Sequence, residues 1–304
     1  MIYDLPEEDR PSPSARQLDQ WVRDARELTG GAEQRIGWVL SSTIVIAALQ
    51  RVLDANQCPL FLIKGGLYLE LQLGLGARTT KDVDMLFRGT AEDFEIALKR
   101  ALTEPWGPFL LQATALKRVE KAQRLTKPYR FDIKLVTKGA TWRRVRIEVS
   151  FPEGHIAEHA TLIPTPRMTS FFGVESPEEI IGITMDYQVA QKTHASTDPD
   201  IPPDIVNDRV RDIVDLVLIK ENFYTNDDSP SSMLKAACLD VFNARAEEAV
   251  AIGAPPRPWP PTFVANARWA EAYPGLAESV GMTHTLAEAI AIVQGWIDAI
   301  DAEP

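Results

Sequence analysis

Cysteine is scarce in this chain. Cys58 and Cys238 are the only two among 304 residues, and they lie far apart in unrelated contexts. A disulfide framework or a zinc site needs more thiols than that. Long apolar runs are missing too: no stretch nears the ~18 consecutive apolar residues of a membrane-spanning helix, so no membrane role is expected. The start, MIYDLPEEDRPSPSAR, is acidic and proline-rich, without the basic head and apolar core of a signal peptide. A cytoplasmic protein is expected. Four histidines, His155, His159, His194 and His284, fall in no metal-ligand spacing. No internal repeat is apparent. Positive charge is in deficit, with 32 Lys and Arg against 43 Asp and Glu and a net charge of −11. Affinity for nucleic-acid phosphates comes largely from cations that displace counterions, so this balance argues against indiscriminate DNA or RNA binding. It leaves room for an RNA gripped by a local patch.

What is present suits a folded, two-domain protein: 304 residues, 45% hydrophobic and 25% charged. The first dozen residues look disordered. An amphipathic helix is predicted from Ser12 to about Leu28, and a second from Glu33 to about Ala55, with Ile36, Val39, Leu40, Ile44, Ala47 and Ala48 as its apolar side. Pro59 to Ile63 reads as a short buried strand, Lys64-Gly65-Gly66 as a turn, and Leu67 to Leu75 as an apolar helix. Asp82 to Phe87 alternates as a strand, and Ala91 to Leu102 follows as a helix. Tyr129–Val136 and Arg143–Phe151 alternate as the arms of a hairpin with Lys138-Gly139 in its turn. Ser176-Pro-Glu-Glu179 has the cap, proline and acids of a helix start. Helical patterns dominate from there to Ile300, broken at Ser196–Asp204 and at Pro255–Pro261. The expected architecture is α+β: a mixed-sheet domain with N-terminal helices over residues 1–170, then a helical domain over 171–304. Lys117, Arg118, Lys121, Arg124, Lys127 and Arg130 form a basic stretch, continued by Lys134, Lys138, Arg143, Arg144 and Arg146. Such a run is either a solvated face or a phosphate-binding patch. The tryptophans read as core, with Trp106 and Trp142 as exceptions if a nucleic acid crosses the hairpin.

The chemistry concentrates in KGGLYLELQLGLGARTTKDVDMLF, residues 64 to 87. A strand delivers the chain into Gly65-Gly66, where backbone can approach a ligand and the opening turn of a helix attracts phosphate. In the following strand Asp82 and Asp84 share a face while Val83 points into the core. Two acids at that spacing repel one another unless a divalent cation lies between them. Glu148, flanked by Ile147 and Val149, supplies a third carboxylate if its strand pairs beside the first. Three convergent acids near a glycine-rich helix start suit nucleotide transfer, in which one magnesium ion neutralises the triphosphate and a second activates the attacking hydroxyl. Taken singly, an Asp-x-Asp is often a solvated strand end and a Gly-Gly a tight turn; order and spacing together favour the functional reading.

Gly65-Gly66 followed by Arg78-Thr79-Thr80-Lys81-Asp82-Val83-Asp84 resembles motif I of the AbiEii/AbiGii-type nucleotidyltransferase toxins, within the DNA polymerase beta-like superfamily. Arg146-Ile147-Glu148 is similar to the family's strand motif. Ser176 to Ile180 with Lys192, and Arg211-Asp212-Ile213-Val214-Asp215-Leu216, resemble its helical motifs, and Phe242 to Tyr273 its C-terminal segment. The resemblance implies a polymerase beta-like domain followed by a helical one. It makes Asp82 and Asp84 metal ligands, with Glu148 completing the metal site or activating the acceptor hydroxyl. Lys64, Gly65 and Gly66 would cradle the phosphates, Lys192 would reach the triphosphate, and Asp212 would join the active site. Asp215, on the same helix face, would instead be a helix–helix ion-pair residue, and Thr80 a nucleotide contact or a modification site. Many polymerase beta-like enzymes have serine where this chain has Gly66, which leaves more of the holding to backbone amides. The activity implied is magnesium-dependent transfer of NMP from NTP to an RNA, the 3′ end of tRNA, by a toxin with a cognate antitoxin. Alternatives are an antibiotic or protein acceptor, or a silent nucleotide- or partner-binding protein, against which intact Asp82, Asp84 and Lys192 argue.

Overall fold

The computed structural model describes residues 5–8, 10–30, 33–120, 124–199, 206–225 and 232–304. Lys121 of the basic stretch and Asp204 at the expected helix break lie outside them. The chain divides into two compact units, Met1–Gly74 with Thr79–Pro152 and Ala160–Gly182, and Leu75–Arg78 with Glu153–His159 and Ile183–Pro304.

The first unit opens with α1 (Ala15–Thr29) and α2 (Glu33–Gln50). A capping box starts α1: the Gln17 amide donates to Ser14 Oγ at 3.4 Å and the Ser14 amide to Gln17 Oε1 at 2.9 Å. Leu18, Val22 and Ala25 are its buried face. The segment before it is more anchored than its composition predicts. Leu5 is buried, and the Arg10 guanidinium lies 4.5 Å from the Trp21 ring centre and 4.3 Å from that of Phe171. Helix α2 stops at Gln50, short of the expected Ala55. Asp54 explains this, because its Oδ1 accepts the amides of Asn56 at 2.8 Å and Cys58 at 2.9 Å, a local alternative to helix. Gln50 is tied to the sheet, donating to the carbonyls of Phe61 at 2.9 Å and Ile181 at 2.6 Å.

The sheet comprises β1 (Phe61–Lys64), β2 (Asp82–Phe87), β3 (Leu110–Ala113), β4 (Lys117–Arg118), β5 (Tyr129–Thr137), β6 (Ala140–Ser150), β7 (Ala160–Pro164) and β8 (Glu179–Ile183). Helix α3 (Gly65–Leu73) joins β1 to β2, and α4 (Ala91–Thr103) follows β2. Strand order is β3-β5-β6-β2-β1-β8-β7, with β4 paired to β5. The sheet is mixed. β2 runs parallel to β6, β1 runs parallel to β8, and β1 is antiparallel to β2 as β5 is to β6. One face carries Val83, Met85, Tyr129, Phe131, Ile147 and Val149 into the core, where the Phe94 ring of α4 stacks on Tyr129 at 5.2 Å.

Two features of the hairpin set its register. Lys138 and Gly139 both have positive φ, 47° and 79°, as a tight hairpin turn requires. Further along, Val136 faces Thr141 but Leu135 faces Arg143, so Trp142 is an extra residue in β6, a β-bulge. Trp142 is buried, stacks on Phe109 at 5.7 Å and donates its indole N–H to Asp19 at 2.9 Å, so it is core and not a surface for bases.

Ser176–Glu179 is the main correction. Its residues signal a helix start, yet Glu179-Ile-Ile-Gly-Ile183 is a strand lying parallel to β1 through the Ile63–Gly182 pair. Isoleucine-rich sequence and a waiting sheet edge outweigh the local cap signal. Ser176 Oγ is instead 2.7 Å from Thr169 Oγ1, and the helix begins at Met185. Strands β3, β4 and β7 were not anticipated; they are short and lack clean alternation.

The second unit is helical: α5 (Met185–Ser196), α6 (Val210–Phe223), α7 (Ser232–Ala251), α8 (Ala267–Ser279) and α9 (Leu286–Ala302). Helix α5 packs on α6 and α7, and α9 on α6, α7 and α8. Among the described residues, no helix is long and apolar enough to cross a membrane.

Candidate active site

Strand β1 ends at Lys64, and the chain turns at Gly65 with φ 70° directly into α3. That φ is strained for any residue with a side chain. Space forbids one as well: a Cβ on Gly65 would lie 3.0 Å from Asp84 Cβ and 3.1 Å from Asp84 Cγ, with Oδ2 closer still. The Asp84 carboxylate therefore rests against the bare backbone of the turn that opens α3. Lys64, the N-cap residue, provides no side-chain cap to that turn. Thr80 sits at the entrance to β2, its hydroxyl donating to the Asp82 carbonyl at 3.2 Å.

Register places the charges of the polar face in rows. Lys64 pairs with Asp84, Asp84 with Glu148, Glu148 with Arg130 and Arg130 with Lys117, across five adjoining strands. The next row reads Asp82, Arg146, Asp132. A third pairs Arg144 with Lys134. The conditional placement of Glu148 beside Asp84 is thus met. Arg130 grips Glu148 through two nitrogens on one oxygen, Nη2 at 2.6 Å and Nε at 3.1 Å from Oε2. Its guanidinium is held above the ordinary arginine value, first by this hydrogen bond, against the opposing effect of burial, and then by the charges of Glu148, Asp82 and Asp84. Arg146 is shared more loosely, 3.7 Å from Asp82 Oδ1 and 3.7 Å from Asp132 Oδ1. Arg143 pairs with Asp19 at 2.8 Å.

Do these residues fit a divalent cation? Asp82 Oδ1 is sealed from solvent and, among the described residues, accepts no hydrogen bond. A buried carboxylate oxygen without a donor is costly, and a hard cation would satisfy it. The oxygen-only donor set of Asp82, Asp84 and Glu148 suits magnesium or manganese. As the side chains stand, no three acids, histidines or cysteines among the described residues are gathered closely enough to hold a metal. Glu148 is meanwhile engaged by Arg130. The set fits, with Glu148 as the member that must be released or stand back.

In the second unit the structure brings Lys192, Asp212 and Asp215 together. The Lys192 ammonium lies 3.0 Å from Asp212 Oδ1 and 2.6 Å from Asp215 Oδ2, with its side chain 8% exposed. Arg78 also clamps Asp215, Nε to Oδ1 at 3.0 Å and Nη2 to Oδ2 at 2.9 Å. Burial works against the Lys192 charge, but Asp212 and Asp215 outweigh it and hold its pKa above the ordinary lysine value. Asp212 is likewise pushed up by burial and pulled further down by Lys192 and Arg209, ending below the usual carboxylate range. Lys192 and Asp215 thus form a helix–helix ion pair, and Asp212 shares it.

Four partnerships are not visible in the sequence. Arg130 and Arg146 could have been found by following the alternation of the hairpin arms, had the bulge been visible. Arg78 with Asp215 has no local signal. Nor does the anchoring of exposed His155, whose Nδ1 lies 2.7 Å from Asp240 Oδ1 while Tyr187 donates to Asp240 Oδ2 at 2.8 Å.

A glycine turn into a helix, with paired carboxylates on the adjoining strand of a mixed sheet, is an arrangement suited to nucleotide transfer. The solved structure of a toxin supports the fold. MenT4, a nucleotidyltransferase toxin from Mycobacterium tuberculosis H37Rv, is similar over 96% of this chain and 91% of its own, at 12% identity and a TM-score of 0.53. JHP933 from Helicobacter pylori aligns over 88% of this chain and 92% of its own, at 12% identity and a TM-score of 0.44. No curated protein matches. The sequence model of the nucleotidyl transferase AbiEii toxin, of type IV toxin–antitoxin systems, matches residues 47–294, and this chain belongs to that family. Membership implies an NTP substrate and an antitoxin counterpart.

Proposed function

We propose that this nucleotidyltransferase toxin moves NMP from an NTP to an RNA, the 3′ end of tRNA, in a magnesium-dependent reaction that blocks translation in the cytoplasm. The observation that carries the reading is Asp84 standing between Lys64 and Glu148 on adjoining strands, its carboxylate against the Gly65 turn. Asp82, Asp84 and Glu148 would hold the metal. When bound, magnesium supplies charge neutralisation at the triphosphate and a lowered pKa for the attacking hydroxyl. Gly65 and Gly66 let phosphate approach the backbone at the start of α3, whose dipole favours negative charge there. Lys64 adds a cation on the strand beside Asp84. Thr80 shapes the entry to β2 and stands beside the nucleotide. Lys192 and Asp212 take their catalytic parts from the family resemblance, and their mutual ion pair fixes both.

The RNA acceptor rests on a specific arrangement. The third row of the polar face, Lys134 with Arg144, adds cations beside Arg146, Arg130 and Lys117, so phosphate-binding charge is local despite a total of −11. Incubation of the protein with magnesium, each labelled NTP in turn and total RNA tests the whole reading. One NTP should label RNA of tRNA size, and Asp84→Asn should abolish the signal. Absence of RNA labelling with every NTP, alongside labelling of an antibiotic or protein, would replace the RNA acceptor with that class.

A further inference from the structure

We propose that Arg130 is a built-in rival of the divalent cation: it occupies the Glu148 carboxylate and thereby sets how tightly the acids take metal. This inference rests on the reading of Asp82, Asp84 and Glu148 as the metal-holding acids. Two nitrogens of Arg130 converge on the single oxygen Oε2, at 2.6 Å and 3.1 Å, so the carboxylate is turned along the β5 side of β6. Asp84 lies on the opposite side of Glu148, on β2. A carboxylate cannot satisfy a two-toothed guanidinium grip through one oxygen and also swing fully toward a cation beside Asp84 without loosening that grip. Metal binding and the Arg130 contact therefore compete for one group.

The competition is winnable because the pair is not locked away. Arg130 is 51% exposed and Glu148 29% exposed, so a released guanidinium is taken up by water. The two arginines of the site are similarly exposed but differ in grip. Arg146 stays 3.7 Å from Asp82 and 3.7 Å from Asp132, making a tight contact with neither, and it holds no acid away from the site. Arg130 alone of the two should control affinity.

Manganese serves as the probe, an oxygen-seeking ion countable by electron paramagnetic resonance, with the full-length protein and no nucleotide. Arg130→Met should bind Mn2+ about 3- to 10-fold more tightly than wild type, the range expected for losing a half-exposed charged hydrogen bond. Arg146→Met should stay within about 2-fold. Arg130→Lys keeps the charge but not the two-toothed grip, and should tighten Mn2+ binding less than Arg130→Met does. Unchanged or weaker Mn2+ binding in Arg130→Met, with binding lost in Asp84→Asn, overturns the rivalry and leaves the metal reading intact. Tightening as large in Arg130→Lys as in Arg130→Met would overturn the charge argument. Wild-type Mn2+ binding in both Asp84→Asn and Glu148→Gln would remove the metal reading itself.

Discussion

Lys192→Met separates a structural lysine from a purely catalytic one. In the wild type the ammonium is 8% exposed and bridges Asp212 at 3.0 Å and Asp215 at 2.6 Å. In the variant Asp215 keeps the two-toothed Arg78 clamp, but among the described residues Asp212 is left with Arg209, whose Nη1 is 3.8 Å away on a side chain 46% exposed, and the more distant charge of Arg211. Removing one partner of a buried ion pair costs about 3–5 kcal/mol. At roughly 2–4 °C per kcal/mol for a protein of this size, the melting temperature should fall by about 6–20 °C at pH 7. The lower end is expected, because a stranded Asp212 can take up a proton instead of staying charged. The pH dependence follows with its sign. Asp212 is held below the usual carboxylate range, so its contribution is present at neutral pH and is lost as pH falls through its folded pKa. Lys192 is held above the ordinary lysine value, so its contribution is present at neutral pH and lost only as pH rises through its folded pKa. The gap between wild type and variant should therefore narrow in acid and again in strong alkali, as read by thermal melts across pH. A variant that melts within about 2 °C of wild type at pH 7, while losing nucleotide transfer, would refute a structural role and make Lys192 a reagent only.

Gly65→Ala combines about 1–2 kcal/mol of backbone strain with a collision against Asp84, so transfer should drop at least about tenfold. Gly74→Ala is the control, since Gly74 also has positive φ, 60°, but nothing within 4 Å of a new Cβ. Equal activity of the two variants would sink the cradle argument. Glu148→Gln should damage transfer far more than Asp132→Asn, because Glu148 adjoins Asp84 whereas Asp132 stands a strand further away beside Arg146. Equal losses, or the reverse order, would move the site onto β5.

Much of the first unit was legible because its signals are local. Asp82–Phe87 alternates and is the observed strand, residue for residue, and Gly65-Gly66 opens α3 where glycines before an apolar run suggest a helix. The shared face of Asp82 and Asp84 was legible for the same reason, since a strand of period two turns both the same way. What failed depended on partners distant in sequence. Glu179–Ile183 is a strand because β1 offers it a parallel edge from far back in the chain. The engagement of Glu148 by Arg130, and of Lys192 by two aspartates, requires the register of one hairpin and the crossing of two helices. Neither leaves a trace in nearby residues.

The bulge at Trp142 limits how this hairpin can change in length. Counted straight back from the Lys138-Gly139 turn, Arg130 would face Ile147 and Phe131 would face Arg146, with charge set against core along both arms. The extra residue brings the two strands back into phase. Insertions or deletions at the tip, on the turn side of Trp142, leave the site's rows untouched. A single residue gained or lost between Trp142 and Glu148, or between Arg130 and Leu135, slides one arm past the other. Glu148 would then lose either its guanidinium or its place beside Asp84. The hairpin is thus elastic at its end and incompressible at its base, and the change from one to the other falls at a buried tryptophan.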